Sequence, residues 1–387
     1  MKGILKLNEI SPVADKVFDS SYDYSKTAEN PIGIILRSYK MHDYPLNDEL
    51  LAVARAGAGV NNIPIDKCSE KGVVVFNTPG ANANAVKELV LCALLMSSRK
   101  IAKGYEYAQS LKGKGAEVGK LVESGKNAFV GPELHDKKIA IVGLGAIGAY
   151  VANACVSLGM EVYGYDPYIS IDAAWRLSRA VKHVTDFNEL ISNCDYLSLH
   201  IPLTPKTKHL IDSAAISRMK HGVRIVNCAR GELVDNEAIL KAIEDGQVAS
   251  YFTDFPTDEL LGVDGITPLP HLGASTPEAE DNCALAAAKQ LKDFIENGNI
   301  TNSVNFPSLS QTRHGVMRIC VIHKNVKNIL SNITSLLAND NVNISNLLNS
   351  SKGDYAYTIV DCDTEAGKEI KEEIETIEGV IKVRIIK

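Results

Sequence analysis

Short apolar runs alternate with longer mixed segments through the first hundred residues of the chain. Apolar runs of about four to eight residues, bounded by turn-forming residues, are typical of buried strands. Such runs occur at Ile32–Leu36, Leu51–Ala54 and Val73–Phe76, and a helical spacing of apolar residues follows over Ala85–Ser98. Because strands alternate with helices, this part of the chain predicts a parallel sheet with helices on its faces.

The same alternation returns, more strongly, after a break. Residues 104–136 are richer in Gly and Lys and lack a long apolar run, so we interpret them as a linking helix and loop. A long amphipathic helix is predicted over Pro277–Asn297, where Pro in the first turn suits a helix start. The strands predicted between these segments are Lys138–Val142, Glu161–Tyr165, Asp195–His200, Val223–Cys228 and Val248–Asp254.

The last part of the chain, residues 316–387, has a pattern of its own after a linker at Asn302–Pro307. Its order of strand, helix, strand, strand, helix, strand is a βαββαβ unit, which is the ferredoxin-like arrangement. The predicted elements are Met317–Ile322, Lys327–Asn339, Val342–Asn349, Tyr355–Val360, Ala366–Ile377 and Val380–Ile386.

Composition narrows the class of protein. The chain has 387 residues, 45% of them hydrophobic and 23% charged, and a formal net charge of -6. That length suggests two or three domains, and the acidic balance argues against nucleic-acid binding. We expect no membrane span, because about 18 consecutive apolar residues would be needed. The eight cysteines form no C-x-x-C pair, so we expect free thiols, no metal site and a cytoplasmic location.

A glycine-rich segment, G-L-G-A-I-G, follows the predicted strand Lys138–Val142 and precedes a predicted helix, Ala149–Leu158. Gly143 permits a tight turn, Gly145 lets the backbone approach a pyrophosphate, and Gly148 lets helix and strand pack closely. A second strand then ends at Asp166, whose carboxylate suits the ribose hydroxyls and repels a 2′-phosphate. The segment therefore predicts NAD as cofactor.

Three further segments supply the residue types that hydride transfer on a hydroxy acid requires. They are Asn227–Asp235, Thr253–Glu259 and Pro270–Thr276, each at or just beyond the carboxyl end of a predicted strand, where open α/β sheets bind ligands. An arginine can grip a carboxylate with two parallel hydrogen bonds. A histidine can take a hydroxyl proton near neutral pH, and a carboxylate can orient the imidazole and stabilise its charged form.

With these segments, the chain resembles the D-isomer-specific 2-hydroxy acid dehydrogenase family over nearly its whole length. The matching motifs, in order, are A-G-A-G-V-N-N-I (Ala56–Ile63), F-N-T-P (Phe76–Pro79), G-L-G-A-I-G, H-I-P-L-T (His200–Thr204) and the arginine and histidine segments. The resemblance implies an α/β protein with an inserted Rossmann NAD-binding domain. It places a discontinuous flavodoxin-like substrate domain at residues 1–98 and 277–306, the NAD-binding domain at 99–276 and a C-terminal domain at 316–387.

The resemblance also implies roles for individual residues. Arg230 corresponds to the substrate-binding arginine, His271 to the acid/base and Glu259 to the acid that pairs with it. The family pattern D-V-F-x-x-E-P is replaced here by D-F-P-T-D-E-L, so Asp258 is a second candidate for that acid. The implied cofactor contacts are Gly143, Gly145, Ala146, Ile147, Gly148, Asp166, Thr207, Cys228, Ala229 and Asp254.

The C-terminal unit resembles an ACT domain, a small amino-acid-sensing module. Within the family, this tail implies a small phosphorylated substrate, 3-phosphoglycerate, and L-serine as a possible effector held by His323, Asn325 and Asn343. Lys327-Asn328 stands where the family has Pro-Gly, so a purely structural tail that pairs subunits is the alternative. The implied substrate contacts are Arg37, Ser38, Lys40, Gly59, Val60 and Asn82.

The activity expected from this resemblance is NAD-dependent oxidation of 3-phospho-D-glycerate to 3-phosphohydroxypyruvate, the first step of serine biosynthesis. One alternative is a related hydroxypyruvate or glycerate reductase. A different class of alternative is a non-catalytic sensor of NAD or serine. The resemblance further implies self-association as a dimer or tetramer.

Overall fold

The computed structural model describes residues 1–365, 367 and 369–387, apart from the side chain of residue 172. The strands are β1 (Lys2–Lys6), β2 (Tyr22–Ser25), β3 (Gly33–Leu36), β4 (Ala52–Arg55), β5 (Val74–Phe76), β6 (Lys138–Val142), β7 (Glu161–Tyr165), β8 (Lys182–His183), β9 (Tyr196–Leu199), β10 (Val223–Asn227), β11 (Val248–Thr253), β12 (Ile266–Pro268), β13 (Met317–Lys324), β14 (Ile344–Lys352), β15 (Tyr355–Cys362) and β16 (Val380–Ile386). The α-helices are α1 (Ile65–Glu70), α2 (Ala83–Arg99), α3 (Ile101–Ser110), α4 (Val118–Gly125), α5 (Ala146–Ser157), α6 (Ile171–Trp175), α7 (Phe187–Ser192), α8 (Ser213–Arg218), α9 (Asn236–Glu244), α10 (Pro277–Asn297), α11 (Ile329–Asn339) and α12 (Ile370–Glu375).

The described residues divide into two compact units. One comprises Met1–Asn82 with Glu280–Lys387, and the other comprises Ala83–Ala279. The predicted limit at residue 98 lies 16 residues after the division at Asn82, whereas the predicted limit at residue 276 lies three residues before the division at Ala279. The C-terminal βαββαβ segment belongs to the same compact unit as the first 82 residues.

The first unit contains a parallel sheet with strand order β2-β1-β3-β4-β5. This is the flavodoxin-like order, in which ligands bind where the chain reverses direction across the sheet, beyond β1 and β3. Strand β3 is fully buried, which explains its continuous apolar sequence. The sequence pattern did not predict β1 or β2, because β1 begins and ends with a lysine, Lys2 and Lys6, and β2 is a largely polar edge strand.

The second unit contains a sheet with strand order β12-β11-β10-β9-β6-β7-β8, all parallel. Numbered within the unit, this is the Rossmann order 3-2-1-4-5-6 with one added edge strand. The predicted strands Lys138–Val142 and Glu161–Tyr165 have the bounds observed for β6 and β7. The segment interpreted as a linking helix and loop contains α3 and α4, neither of which has a buried residue.

The C-terminal segment forms an antiparallel sheet with strand order β14-β15-β13-β16. The ferredoxin-like prediction is therefore confirmed, although the predicted helix start at Ala366 lies outside the described residues. One face of the sheet packs against α11 and α12 through residues such as Ile319 and Ile333. The other face packs Cys320 and Tyr357 into the apolar core around Phe294 of α10. This small sheet is thus part of the core of the first unit.

Hydrogen bonds fasten the small sheet to the end of α10. Arg384 donates from its guanidinium to the carbonyls of Phe294 and Ile295, at 3.1 and 2.8 Å. Tyr357 donates its hydroxyl to the carbonyl of Gly298, at 2.6 Å. Carbonyls at a helix C-terminus lack partners within the helix, so cations and donors placed there stabilise it.

The described part of the chain lacks two features, a membrane-spanning helix and a cluster of metal ligands. None of its helices combines the length and apolarity that crossing a bilayer requires. It also contains no group of three or more His, Cys, Asp or Glu side chains able to hold a metal ion. All eight cysteines are free thiols, and Cys92 alone among them is exposed.

Candidate active site

The glycine-rich loop after β6 has the geometry of a dinucleotide cradle. Gly143 has a φ of +90°, and an added Cβ there would meet the carbonyl oxygen of His200 at 2.5 Å. A Cβ on Gly148 would meet the carbonyl oxygen of Gly143 at 1.9 Å, whereas a Cβ on Gly145 would meet nothing within 4 Å. Two glycines therefore allow close packing, and the third leaves open space at the start of α5. Free N–H groups and the helix dipole at that point favour a pyrophosphate.

Asp166 follows β7 and lies beside this loop. Its Oδ2 accepts the Leu144 N–H at 2.9 Å, and its Oδ1 accepts the Tyr168 N–H at 2.9 Å. These bonds fix the carboxylate, and each oxygen keeps lone-pair capacity for a ribose hydroxyl. The geometry suits the ribose contact that the sequence predicts.

Asp254 follows β11 and is 1% exposed. Its Oδ2 accepts the Gly273 N–H at 3.1 Å, while its buried Oδ1 has no hydrogen-bond partner among the described residues. Burial raises the pKa of this carboxyl, and the Gly273 N–H and the charges of His271 and Arg230 offset part of the rise. A buried acceptor without a partner is costly, so Oδ1 fits a ligand donor such as the carboxamide of nicotinamide. Together with the open space at Gly145, this shows that the residues present fit NAD.

Arg230 and His271 both contact Phe255, the residue after Asp254. The Arg230 guanidinium carbon lies 6.0 Å from the Phe255 ring centroid, and the His271 and Phe255 ring centroids are 4.5 Å apart. Both side chains are exposed, so a ligand can reach them. The structure thus brings together two of the three predicted catalytic residues.

The turn that carries Arg230 is fixed by Asn227 at the end of β10. The Asn227 side chain donates to the Arg230 carbonyl at 2.8 Å and accepts the N–H groups of Ala229 and Arg230 at 3.1 and 3.4 Å. Cys228, between them, is buried, and burial raises the pKa of its thiol. Sequence reasoning did not assign this positioning role to Asn227, although a short polar side chain at a strand end is the signal for such a turn.

Glu259 and Asp258 lie together on a short 3₁₀ turn after β11. Both are exposed, and neither side chain makes a hydrogen bond or ion pair with a described residue. The structure therefore does not bring either carboxylate onto His271. The predicted role of Glu259 stays a prediction.

Thr207, a predicted cofactor contact, donates its hydroxyl to the Pro202 carbonyl at 2.7 Å, within the loop that follows β9.

In the first unit, the predicted phosphate residues follow β3 at the point where the strand order reverses. Three consecutive N–H groups, those of Arg37, Ser38 and Tyr39, donate to the side-chain oxygen of Asn8, which follows β1, at 3.1, 3.2 and 2.9 Å. Because all three amides already donate to Asn8, they fix the backbone of this loop. Lys40 is exposed beside it. Asn8 was not predicted as part of this site, because its partners lie about thirty residues away in the chain.

A second arginine lies near the predicted carboxylate loop. The Arg55 Nε donates to the Arg37 carbonyl at 3.0 Å, and a Cβ on Gly57 would meet the Arg55 guanidinium at 2.5 Å. The loop that continues to Gly59 and Val60 is held by Asn77, which donates to the Ala58 carbonyl at 2.7 Å. Asn82, also predicted to contact substrate, has a buried side-chain oxygen without a described partner.

The three predicted effector residues are not together in one chain. The two ring nitrogens of His323 lie 2.7 Å from the Lys324 carbonyl and 2.9 Å from the Thr358 hydroxyl. Asn325 follows the end of β13, whereas Asn343 precedes β14, and the strand registers put these two points at opposite ends of the sheet. Asn328, in the position where the family has glycine, adopts the left-handed conformation with a φ of +68°.

A cavity of about 180 Å³ lies at the other edge of the Rossmann sheet, near the amino ends of β9 and β10. Two of its cations are engaged: Lys220 pairs with Asp195 at 3.1 Å, and Arg224 donates to the carbonyls of Ser97 and Gly222. Because ligands of such sheets bind at the carboxyl edge, this cavity is separate from the candidate active site.

A Rossmann sheet that carries an open glycine loop, a fixed carboxylate at Asp166, and an arginine and a histidine on one phenylalanine ring has the features of a dinucleotide-dependent oxidoreductase. Comparison with known proteins makes this specific. The family profile "D-isomer specific 2-hydroxyacid dehydrogenase, NAD binding domain" matches residues 91–280. The chain is 33% identical over 350 residues to "D-3-phosphoglycerate dehydrogenase" of Haemophilus influenzae, covering 87% of this chain and 82% of that protein. The chain therefore belongs to the D-isomer specific 2-hydroxyacid dehydrogenase family, which is NAD-dependent.

Other relatives are longer. Identity is 35% over 309 residues to "D-3-phosphoglycerate dehydrogenase" of Methanocaldococcus jannaschii, covering 78% of this chain and 56% of that protein. The rat protein of the same name is 36% identical over 269 residues, covering 68% of this chain and 48% of its own length. The chain thus spans about half the length of these two relatives.

Solved structures support the fold. "D-Lactate dehydrogenase from aquifex aeolicus complexed with NAD and Lactic acid" matches with a TM-score of 0.60 and 22% identity, covering 79% of this chain and 100% of that chain. A glyoxylate reductase matches with a TM-score of 0.65 and 24% identity, covering 79% of this chain and 98% of that chain. The predicted α/β fold and the predicted cofactor, NAD, are confirmed.

Proposed function

We propose that the chain catalyses the NAD-dependent oxidation of 3-phospho-D-glycerate to 3-phosphohydroxypyruvate, the first step of serine biosynthesis. The observation that carries this proposal is the contact of both Arg230 and His271 with the Phe255 ring, next to buried Asp254. The printed names of the Haemophilus, Methanocaldococcus and rat relatives support the choice of substrate.

Each residue has a defined task in this proposal. Arg230 binds the substrate carboxylate through two parallel N–H donors. His271 accepts the proton of the C2 hydroxyl, and Glu259, or its neighbour Asp258, stabilises the resulting imidazolium. Phe255 holds the imidazole ring in place. When bound, NAD would supply the acceptor for the hydride that leaves C2.

The remaining substrate contacts come from the first unit. Arg37, Ser38 and Lys40 bind the phosphate, using one guanidinium, one hydroxyl and one ammonium group. The amides of Gly59 and Val60 and the side chain of Asn82 contact the carboxylate end. Mutagenesis can test these assignments and those of the proposed cofactor residues Ala146, Ile147, Thr207, Cys228 and Ala229.

The decisive experiment measures NADH consumption with 3-phosphohydroxypyruvate and, in parallel, with hydroxypyruvate. We expect the phosphorylated acid to give the higher kcat/KM, and His271→Ala to abolish most turnover of both. Turnover of neither acid would refute catalysis and favour a non-catalytic sensor of NAD or serine. A higher kcat/KM for hydroxypyruvate would refute the assignment of substrate.

A hydroxypyruvate or glycerate reductase is the second candidate, and one observation favours it. The Arg37 guanidinium already forms an ion pair with Glu280, at 2.5 Å from Nη1 to Oε1. A neutralised arginine attracts a phosphate less than a free one does. The same pair of substrates distinguishes the two candidates.

L-Serine remains a proposed effector, held by His323, Asn325 and Asn343. Since Asn325 and Asn343 lie at opposite ends of one sheet, an amino acid would contact both only if two copies of the chain each contributed one of them. The assay is NADH consumption with and without L-serine, for the wild type and His323→Ala. Inhibition of the wild type that is lost in the variant supports the role; no effect on either supports a structural tail.

Self-association as a dimer or tetramer is proposed as well. Exposed apolar side chains on and near α2 to α4 support it, because exposed apolar surface often marks an interface. In this part of the chain the exposed apolar residues are Leu95, Ile101, Tyr105, Val118, Val122 and Val130. Light scattering on the purified chain measures the mass directly. The free thiols support the proposed cytoplasmic location.

A further inference from the structure

The loop after β3 holds its donors in a fixed arrangement. Asn8 collects the N–H groups of Arg37, Ser38 and Tyr39, and the Asn8 amide nitrogen donates to the Ser38 hydroxyl at 3.2 Å. On the other side, the Arg37 carbonyl accepts bonds from Arg55 Nε at 3.0 Å and from the Asn62 side chain at 3.2 Å. The backbone of Arg37 is therefore bonded through both its N–H and its carbonyl. The position from which its side chain extends is set by the fold.

The start of α10 supplies a carboxylate to this loop. Glu280 lies three residues after Pro277, and its Oε1 is 2.5 Å from Arg37 Nη1. The next residue, Asp281, accepts a hydrogen bond from the Ser11 hydroxyl. Two successive carboxylates of α10 thus contact the segments that follow β1 and β3. Acidic residues near a helix N-terminus are also stabilised by the helix dipole.

The ion pair is exposed enough to be exchanged. The Arg37 and Glu280 side chains are 38% and 44% exposed. Exposed ion pairs contribute little to stability, because solvent screens them and the long side chains lose freedom. A phosphate monoester carries nearly two negative charges at neutral pH and three acceptor oxygens. It can therefore displace a single carboxylate from the guanidinium, but the loss of the existing ion pair offsets part of the binding free energy.

We infer that Glu280 is an internal counter-ion that occupies the Arg37 phosphate subsite and limits the preference for phosphorylated over non-phosphorylated hydroxy acids. This inference rests on the proposed function, since it takes Arg37 as a substrate contact. Without a phosphate, Glu280 keeps Arg37 neutralised. With a phosphate, Arg37 exchanges one anion for another, and the departing carboxylate lowers the net gain in affinity.

The test compares Glu280→Gln with the matched control Glu278→Gln, which alters an exposed carboxylate in the same helical turn that makes no bond to a described residue. NADH consumption is measured with 3-phosphohydroxypyruvate and with hydroxypyruvate. We expect Glu280→Gln to lower the KM for the phosphorylated acid about fivefold, the upper effect of an exposed ion pair. The kcat, and the KM for hydroxypyruvate, should stay within about twofold, and the control should match the wild type.

A second measurement does not depend on turnover. Calorimetric titration with 3-phosphoglycerate and with inorganic phosphate reports affinity in the wild type and both variants, with melting curves to show that each is folded. Tighter binding of both anions by folded Glu280→Gln supports the inference, whether or not the acids are turned over. If neither acid is turned over, only the proposed function fails. Unchanged or weaker binding of phosphate by Glu280→Gln, or an equal change in the control, would overturn it.

Discussion

Replacing Asp361 with Asn tests how the small C-terminal sheet is fixed within the first unit. Asp361 and Arg318 are both fully buried and form two parallel hydrogen bonds, Nε to Oδ1 at 2.6 Å and Nη2 to Oδ2 at 2.8 Å. The guanidinium also donates to the carbonyls of Asn297 at 2.7 Å and Thr312 at 3.2 Å. Asn at position 361 keeps the shape of the side chain but leaves the Arg318 charge without a counter-ion.

The expected magnitude follows from this geometry. Removing one partner of a buried ion pair costs about 3–5 kcal/mol, because an uncompensated charge remains in a low-dielectric interior. At about 2–4 °C per kcal/mol for a unit of this size, the melting temperature should fall by roughly 6–20 °C. Asp361 also accepts bonds from the Gln311 side chain at 3.0 Å and the His314 N–H at 3.1 Å. Weakening these bonds should loosen the linker after α10 as well.

Thermal unfolding followed by circular dichroism measures the effect. The matched control is Glu365→Gln, which removes an exposed pair with Lys387 in the same segment and should shift the melting temperature by about 2 °C or less. Combining Arg318→Met with Asp361→Asn should be less destabilising than the sum of the single changes, because neither charge is then left alone. A melting temperature for Asp361→Asn within 2 °C of the wild type would refute the reasoning.

Three other predictions concern the second unit. Gly145→Ala places its methyl in open space, so the melting temperature should stay unchanged while NADH binding, measured by fluorescence titration, weakens at least tenfold. Gly148→Ala places its methyl 1.9 Å from a carbonyl oxygen, so both the melting temperature and the NADH affinity should fall. Unchanged NADH affinity in Gly145→Ala would contradict the role of this loop as a dinucleotide cradle. Burial raises the pKa of Asp254, so ionising this carboxyl destabilises the folded protein. The stability of the wild type should therefore fall, relative to that of Asp254→Asn, as the pH rises from about 4 through the raised pKa. Thermal melts with the same pH dependence for the two proteins would contradict this. Glu259→Gln should lower kcat/KM and alter its pH profile more than Asp258→Asn does, and the reverse order would move the role of relay acid to Asp258.

Much of the fold could be predicted because buried parallel strands have continuous apolar sequences. Strand β6 and helix α10 have the predicted bounds, and both lie against apolar cores. Strands β1 and β2 could not be predicted in the same way. Only Ile4 and Leu5 of β1 are buried apolar residues, and β2 lies at the sheet edge, where polar side chains are tolerated.

In the candidate site, residues with a local sequence signal could be predicted, and residues whose partners are distant in the chain could not. Glycines with enforced close contacts, such as Gly143 and Gly148, have a local sequence signal, because the turn and the helix start are neighbours in the chain. The bonds from the Arg37 loop to Asn8 and Glu280 have none, because their partners are brought together only by the completed sheet and α10. Long-range polar pairs therefore had to come from the structure.

The ACT-like tail shows a substitution that only the backbone explains. Lys327-Asn328 breaks the family pattern, yet Asn328 adopts the left-handed conformation that the family glycine would allow. Asn is among the few non-glycine residues that enter this region at low cost. The turn before α11 is therefore kept, although the glycine is absent.

The turnover of His271→Ala, measured beside its NADH affinity, tests the central claim most directly. If His271 is the acid/base, kcat with 3-phosphohydroxypyruvate should fall by about 10²–10⁴-fold, and the dissociation constant for NADH should stay within about threefold, since the glycine loop and Asp166 are untouched. Turnover equal to that of the wild type, with NADH affinity unchanged, would contradict the account.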